Sequence, residues 1–202
     1  MPDMFTKTIS AAAAGLAVLA ATLTAPAAAY ASEGGATKKV RLRSGLTLTI
    51  PTSWKVVKNG KDWVRVITGP CPTLGTEDFG FRDWGCHSFW VLGPKALAIG
   101  LHTFQAYKSK YGYDPATDVG ICPKSYKLYK GEWKLADKGL RQVGRGHKAD
   151  YHRWAATCVD KKWRVKLHYN QREWYLPTSK ILVLDQWDNP RLSAILKNAT
   201  WS

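Results

Sequence analysis

Acidic residues are scarce in this chain: 15 Asp and Glu stand against 30 Lys and Arg, for a formal charge of +15 over 202 residues. Heptads are missing, and no block repeats at a fixed period, which excludes coiled coils and solenoids. The sequence has no G-x-S-x-G, no H-E-x-x-H, no G-x-x-x-x-G-K-[ST] and no G-x-G-x-x-G, so the common hydrolase, zinc-peptidase, nucleotide and dinucleotide signatures are all absent. Cysteine is limited to four residues and none falls in a C-x-x-C, which argues against a zinc site. Long apolar runs are limited to one, from about Ile9 to Leu23.

That run sits behind Lys7, is broken by Pro26 and is followed by Ala29-Tyr30-Ala31, the small-x-small pattern read by signal peptidase. It is short for a membrane span, which needs ~17–20 apolar residues. Residues 1–31 are therefore expected to be a signal peptide. Residues 32–202 are expected to form a single secreted, extracellular α+β domain with no stable membrane span after cleavage. Residues 1–31 hold one Lys and one Asp, so the remainder keeps all of the +15. With 45% hydrophobic and 22% charged residues the chain is no disordered polycation. A domain of this size buries ~70% of its unfolded surface and has a real core.

An even cysteine count in an exported chain reads as two disulfides. Of the three connectivities, pairing of sequence neighbours favours Cys71–Cys86 and Cys122–Cys158, each loop contributing ~3–4 kcal/mol in the chain-entropy account. Such pairing leaves no catalytic thiolate.

Val40 to Ile50 alternates around Ser44-Gly45 and predicts a hairpin. Trp54 to Val57 and Trp63 to Thr68 flank the turn dipeptide Asn59-Gly60. His87 to Leu92, Leu140 to Val143, Tyr151 to Val159, Trp163 to Tyr175 and Ile181 to Trp187 read as further strands. Ile181 to Leu184 is apolar on both faces and is placed centrally. Trp163, Val165, Leu167 and Tyr169 alternate with cations, which predicts one buried and one wet face. Pro94 to about Tyr107 is expected to be a helix with Leu97, Leu101 and Phe104 on one side. Asp188-Asn189-Pro190 is expected to start a C-terminal helix packed through Leu192, Ile195 and Leu196. Residues 108–139 look irregular. The sum is an α+β fold: an antiparallel β-sheet of about six to eight strands packed against two helices, with two disulfides.

The stretches GLTLTIPTSWKVV, FWVLGPKALAIG, YDPATDV, GLRQVGRGHKA, QREWYLPTSKILVLDQW and LKNATW resemble a family of exported actinobacterial proteins to which no activity is attached. The opening strand-Pro-x-x-Trp pattern, followed by sheet and a final helix, is similar in topology to the Mog1/PsbP-like α+β fold. That likeness implies a fold and no chemistry.

Three groups of residues are candidate sites. The first, within Tyr107 to Lys138, interleaves Lys108, Lys110, Lys124, Lys127, Lys130 and Lys134 with Tyr107, Tyr111, Tyr113, Tyr126, Tyr129 and Trp133. Cations suit phosphate or uronate groups, and rings stack on sugars or bases; the bland alternative is a solvated lysine-rich loop whose aromatics enter the core. The second is the stripe Arg164, Lys166, His168 and Arg172, suited to an anionic polymer or simply a solvated sheet face. The third joins the Gly144-Arg145-Gly146 turn, a possible anion nest, to Asp150 and His152, two apart and so on one side of a strand. Asp150 and His152 are weak catalytic candidates, since two groups do not make a site. No cofactor and no metal is expected. The expected function is a secreted basic, non-catalytic binding protein that associates with an anionic envelope polymer, an acidic glycan or extracellular nucleic acid. The alternatives are a secreted hydrolase using Asp150 and His152, and a partner-binding or inhibitory protein using the 69–86 loop.

Overall fold

The computed structural model describes residues 35–80 and 84–202; the expected signal peptide lies outside the described residues. Residues 35–202 form one compact unit. Its architecture is mostly β, which overturns the α+β expectation. β1 (Thr37–Arg41) and β2 (Thr47–Pro51) form the expected hairpin, with Ser44 and Gly45 both at positive φ in its turn. The remaining strands make one curled antiparallel sheet of eight. They are β3 (Lys55–Asn59), β4 (Trp63–Ile67), β5 (Ser88–Leu92), β6 (Ile121–Cys122), β7 (Ser125–Gln142), β8 (Lys148–Val159), β9 (Val165–Leu176) and β10 (Ile181–Asp185). Their order is β3-β4-β5-β10-β9-β8-β7-β6. β10 sits inside the sheet with all five residues buried, as its two-sided apolar sequence required.

The two α-helices among the described residues are short. α1 spans Pro94–Leu97 and α2 spans Leu192–Lys197. The expected longer helix fails because the chain turns after Ala98. A Cβ at Gly100 would sit 2.7 Å from Tyr107 Cβ and 2.9 Å from the Tyr113 ring, so the backbone is pressed against its own later segment. Thr103 and Phe104 then both take positive φ. Leu97 is buried while Phe104 is exposed, so the apolar spacing there did not mark one helical face.

The long strand β7 lies where irregular structure was expected. None of its residues is buried, and it carries Lys and Tyr rather than alternating aliphatics. Pairing with β8 from Tyr129 to Gln142 holds it in place, a tertiary effect that no local pattern reports.

Each face of the large sheet has its own cover. On the first face, Val64, Val66, Phe89, Val91, Ile181, Val183, Trp174 and Leu176 pack under the β1–β2 hairpin and α2 through Leu48, Ile50, Leu192 and Leu196. On the second face, Leu92, Leu182 and Leu184 pack under Ala96, Leu97 and Tyr113 of the segment that follows β5. Both disulfides have the expected connectivity, Cys71–Cys86 and Cys122–Cys158. They place the chain in an oxidising environment. Among the described residues no helix is long and apolar enough to cross a membrane.

The expectation for Trp163, Val165 and Leu167 also fails. All three are exposed, and burial along β9 begins only at Tyr169. The reason is topological: β10 pairs with β9 only from Arg172 to Leu176, so among the described residues the leading half of β9 has β8 alone beside it and lies exposed.

Candidate functional site

The second face carries a polar core that the segment 107–113 closes. Along β9 the residues Tyr169, Gln171, Glu173 and Tyr175 share that face. Gln171 and Glu173 are fully buried. Glu173 Oε2 accepts from the Tyr107 hydroxyl at 2.7 Å, and Oε1 accepts from Tyr113 N–H at 2.8 Å and from Gln171 Nε2 at 2.7 Å. Gln171 Nε2 also donates to the Tyr113 carbonyl at 2.8 Å. Burial pushes the Glu173 carboxyl up, against the opposing pull of these donors. Burial and the neighbouring carboxylate push the Tyr107 and Tyr113 phenols up as well. Gly112, at φ 79°, lets the backbone cross the Trp154 ring; a Cβ there would lie 3.1 Å from Trp154 Nε1. Tyr107 and Tyr113 are thus parts of the fold. Sequence reasoning did not single out Gln171 and Glu173, although two polar residues in the inward phase of a strand were a readable signal.

His152 lies beside Glu173 across β8 and β9, and its Nδ1 is 3.8 Å from Asp150 Oδ1, beyond hydrogen-bond reach. Neither Asp150 nor His152 lines a cavity described below. Among the described residues no group of three His, Cys, Asp or Glu could hold a metal ion. The Gly144 turn is occupied by the fold: Gly144 N–H donates to the Leu196 carbonyl, and His147 stacks on Trp201 at 4.2 Å.

Two adjoining cavities open on the second face. The first, about 590 Å³, is lined by Trp63, Trp84, Trp90 and Trp187, with Phe104 and Tyr113 beside them and Arg65 and Ser88 below. Arg65 lies 4.7 Å from the Trp90 ring centroid and 5.0 Å from that of Phe79, and its Nε donates to Ser88 Oγ at 2.8 Å. Burial lowers its guanidinium to about 10, so it remains cationic at neutral pH. The second cavity, about 620 Å³, is lined by Tyr111, Trp133, His102 and Glu132 among others. Asp114 and Lys130 line both cavities and are ion-paired at 2.8 Å, so this pair stands at their junction.

At the rim of the first cavity, aromatic rings and lysines stack. Lys124 Nζ sits 3.7 Å from the Trp187 ring, and His87 stacks on that indole at 3.9 Å. Burial first, and then the Lys124 charge, lowers the His87 imidazole; burial lowers the Lys124 ammonium. Tyr126 packs 4.8 Å from Trp84, with Lys127 Nζ 5.6 Å from the tyrosine ring. Lys110 Nζ lies 4.6 Å from the Tyr111 ring, at the second cavity.

Neither a family model, nor a curated protein, nor a solved structure matches this chain.

Of the first sequence-predicted group, Lys130 lines both cavities, Tyr113 the first, and Tyr111 and Trp133 the second; Lys124 and Tyr126 reach the first only through the Trp187 and Trp84 rings, Lys127 only through Tyr126, and Lys110 reaches the second through Tyr111. Tyr107 is spent on Glu173, Tyr129 is a half-buried member of β7, and Lys108 lines neither cavity. The second group divides. Arg172 is structural: its guanidinium donates to the fully buried Asp185 carboxylate and, at 2.7 Å, to the Asn189 carbonyl. Arg164 Nη2 and Lys166 Nζ both reach Asp160 Oδ2, at 2.8 and 3.5 Å, and His168 is exposed; none of the three lines a cavity. The four tryptophans of the first cavity were missed as a set. They come from β4, the 69–86 loop, β5 and the segment after β10, so no sequence window contains them.

Proposed function

We propose that this protein is a secreted, non-catalytic binder of anionic polymers, with acidic glycans as the polymer class that fits best. The observation that supports the reading is the run of tryptophans around one cavity, rimmed by lysines and continued past the Asp114–Lys130 pair into a second aromatic cavity. Indole and phenol faces stack on sugar rings, and ammonium groups attract carboxylate or sulfate substituents. Two joined cavities suit several successive units of a chain better than one small molecule. Thr103 and Phe104, both at positive φ, sit on the walls, the second and first cavities respectively, a costly backbone conformation of the kind found at binding sites.

Retention on immobilised heparin tests this reading. The wild-type chain should be retained and should elute as salt rises, because counterion release makes polyanion binding salt-dependent. Trp187→Ala combined with Trp84→Ala should elute earlier while leaving the fold intact by near-ultraviolet circular dichroism. Elution of the wild type at low salt from heparin, polyuronate and teichoic acid alike would dispose of the proposal. A hydrolase at Asp150 and His152 gains no support, since neither residue opens onto either cavity.

A further inference from the structure

The turn joining β8 to β9 presents apolar side chains to solvent on a basic ground. Trp163 is 64% exposed, Val165 51% and Leu167 40%. Around them Lys161, Lys162, Arg164 and Lys166 are all exposed. The single acid of the turn, Asp160, is turned inward: it accepts from the backbone N–H of Lys162 at 2.8 Å and of Arg164 at 3.1 Å, and from Arg164 Nε at 2.9 Å. The turn is also closed through its backbone, Asp160 N–H to the Arg164 carbonyl and Trp163 N–H to the Asp160 carbonyl. Trp163 takes φ 59°, uncommon for a bulky residue, and none of residues 160–168 belongs to a core cluster. An indole is held outward by an ordered turn, and nothing among the described residues covers it.

We propose that this hairpin tip is a peripheral docking element for an anionic lipid bilayer, a second surface distinct from the cavities. Charge complementarity selects the partner: four cations against one engaged carboxylate attract a negative leaflet. The apolar residues select lipid over a soluble polyanion, because Trp prefers the headgroup level and aliphatic side chains gain by entering the acyl boundary. An acidic peptide pairing along the open edge of β9 would leave Trp163, in the turn, outside the contact.

Amide hydrogen exchange of the full chain, read on a peptide covering 159–168, tests the tip separately from the apolar residues near the N-terminus. Phosphatidylglycerol vesicles should slow exchange in that peptide and phosphatidylcholine vesicles should not. A Trp163→Ser, Val165→Thr, Leu167→Thr variant should lose the protection and keep its heparin retention. A Lys161→Gln, Lys162→Gln, Lys166→Gln variant should need at least about tenfold more anionic lipid for the same protection. Unchanged exchange at the tip on phosphatidylglycerol would overturn the proposal. So would protection by heparin without protection by vesicles, which would return the tip to the polymer-binding surface. Loss of heparin retention on cavity substitution alone bears only on the earlier reading.

Discussion

Tyr107→Phe isolates the buried carboxylate of the second face. The substitution keeps the ring and its edge contact with Tyr175 at 5.2 Å, and removes the hydroxyl that donates to Glu173 Oε2 at 2.7 Å. A hydrogen bond to a charged group contributes ~1.5–3 kcal/mol and one to a neutral group ~0.5–1.5 kcal/mol, so the loss depends on whether Glu173 is ionised. Glu173 is raised above its ordinary 4.5 by burial. The folded state therefore binds more protons than the unfolded state above that pH. Its contribution to stability is full below about 4.5 and falls as pH climbs through the raised folded value. The Tyr107 hydroxyl favours the ionised form; without it the carboxyl rises further, and the fall is larger and extends to higher pH. The variant should thus lose ~0.5–1.5 kcal/mol at pH 4 and ~1.5–3 kcal/mol once the wild-type carboxyl ionises. At 2–4 °C per kcal/mol, the larger loss lowers Tm by roughly 3–12 °C. Non-reducing urea denaturation at pH 4, 6 and 8 measures this, repeated in a Glu173→Gln background. A loss that is larger at pH 4 than at pH 8, or larger in the Glu173→Gln background, would refute the reasoning.

Three further expectations follow from the same description. Arg172→Met strands the fully buried Asp185 carboxylate and should cost about 3–5 kcal/mol by denaturant unfolding, whereas Arg172→Lys should recover part of that. Replacing Cys122 and Cys158 by Ala opens a loop of 36 residues and should cost ~4 kcal/mol; the 15-residue Cys71–Cys86 loop should cost ~3 kcal/mol, both by non-reducing thermal unfolding. Trp187→Ala should weaken heparin-fragment affinity about tenfold by titration calorimetry, one stacked ring's contribution, with unfolding little changed.

Strands whose own side chains alternate or are wholly apolar were legible: the Val40–Ile50 hairpin, the turn at Asn59-Gly60, and Ile181–Asp185 as an interior strand. The disulfide pairing was legible from spacing. What escaped depends on partners. β7 is a strand because β8 holds it, and Pro94–Tyr107 is not a helix because Gly100 must pass close to Tyr107 and Tyr113. The lysines and tyrosines of the site were visible as a cluster. The tryptophans that give them a cavity were not, since the sheet brings β4 and β5 together with a residue from beyond β10.

The position of β10 has a consequence for how the sheet is assembled. β3–β4–β5 and β6–β7–β8–β9 are each meanders of sequence neighbours and can form by local closure. Within the sheet they are joined through residues 181–185, the last sheet strand to be synthesised, which must pair with β5 about ninety positions earlier. Until then each half exposes a pairing edge: Ser88–Leu92 on one and Arg172–Leu176 on the other. Completion of the fold is therefore a late, non-local event, and a nascent chain shorter than about 185 residues holds two open halves in need of protection from aggregation.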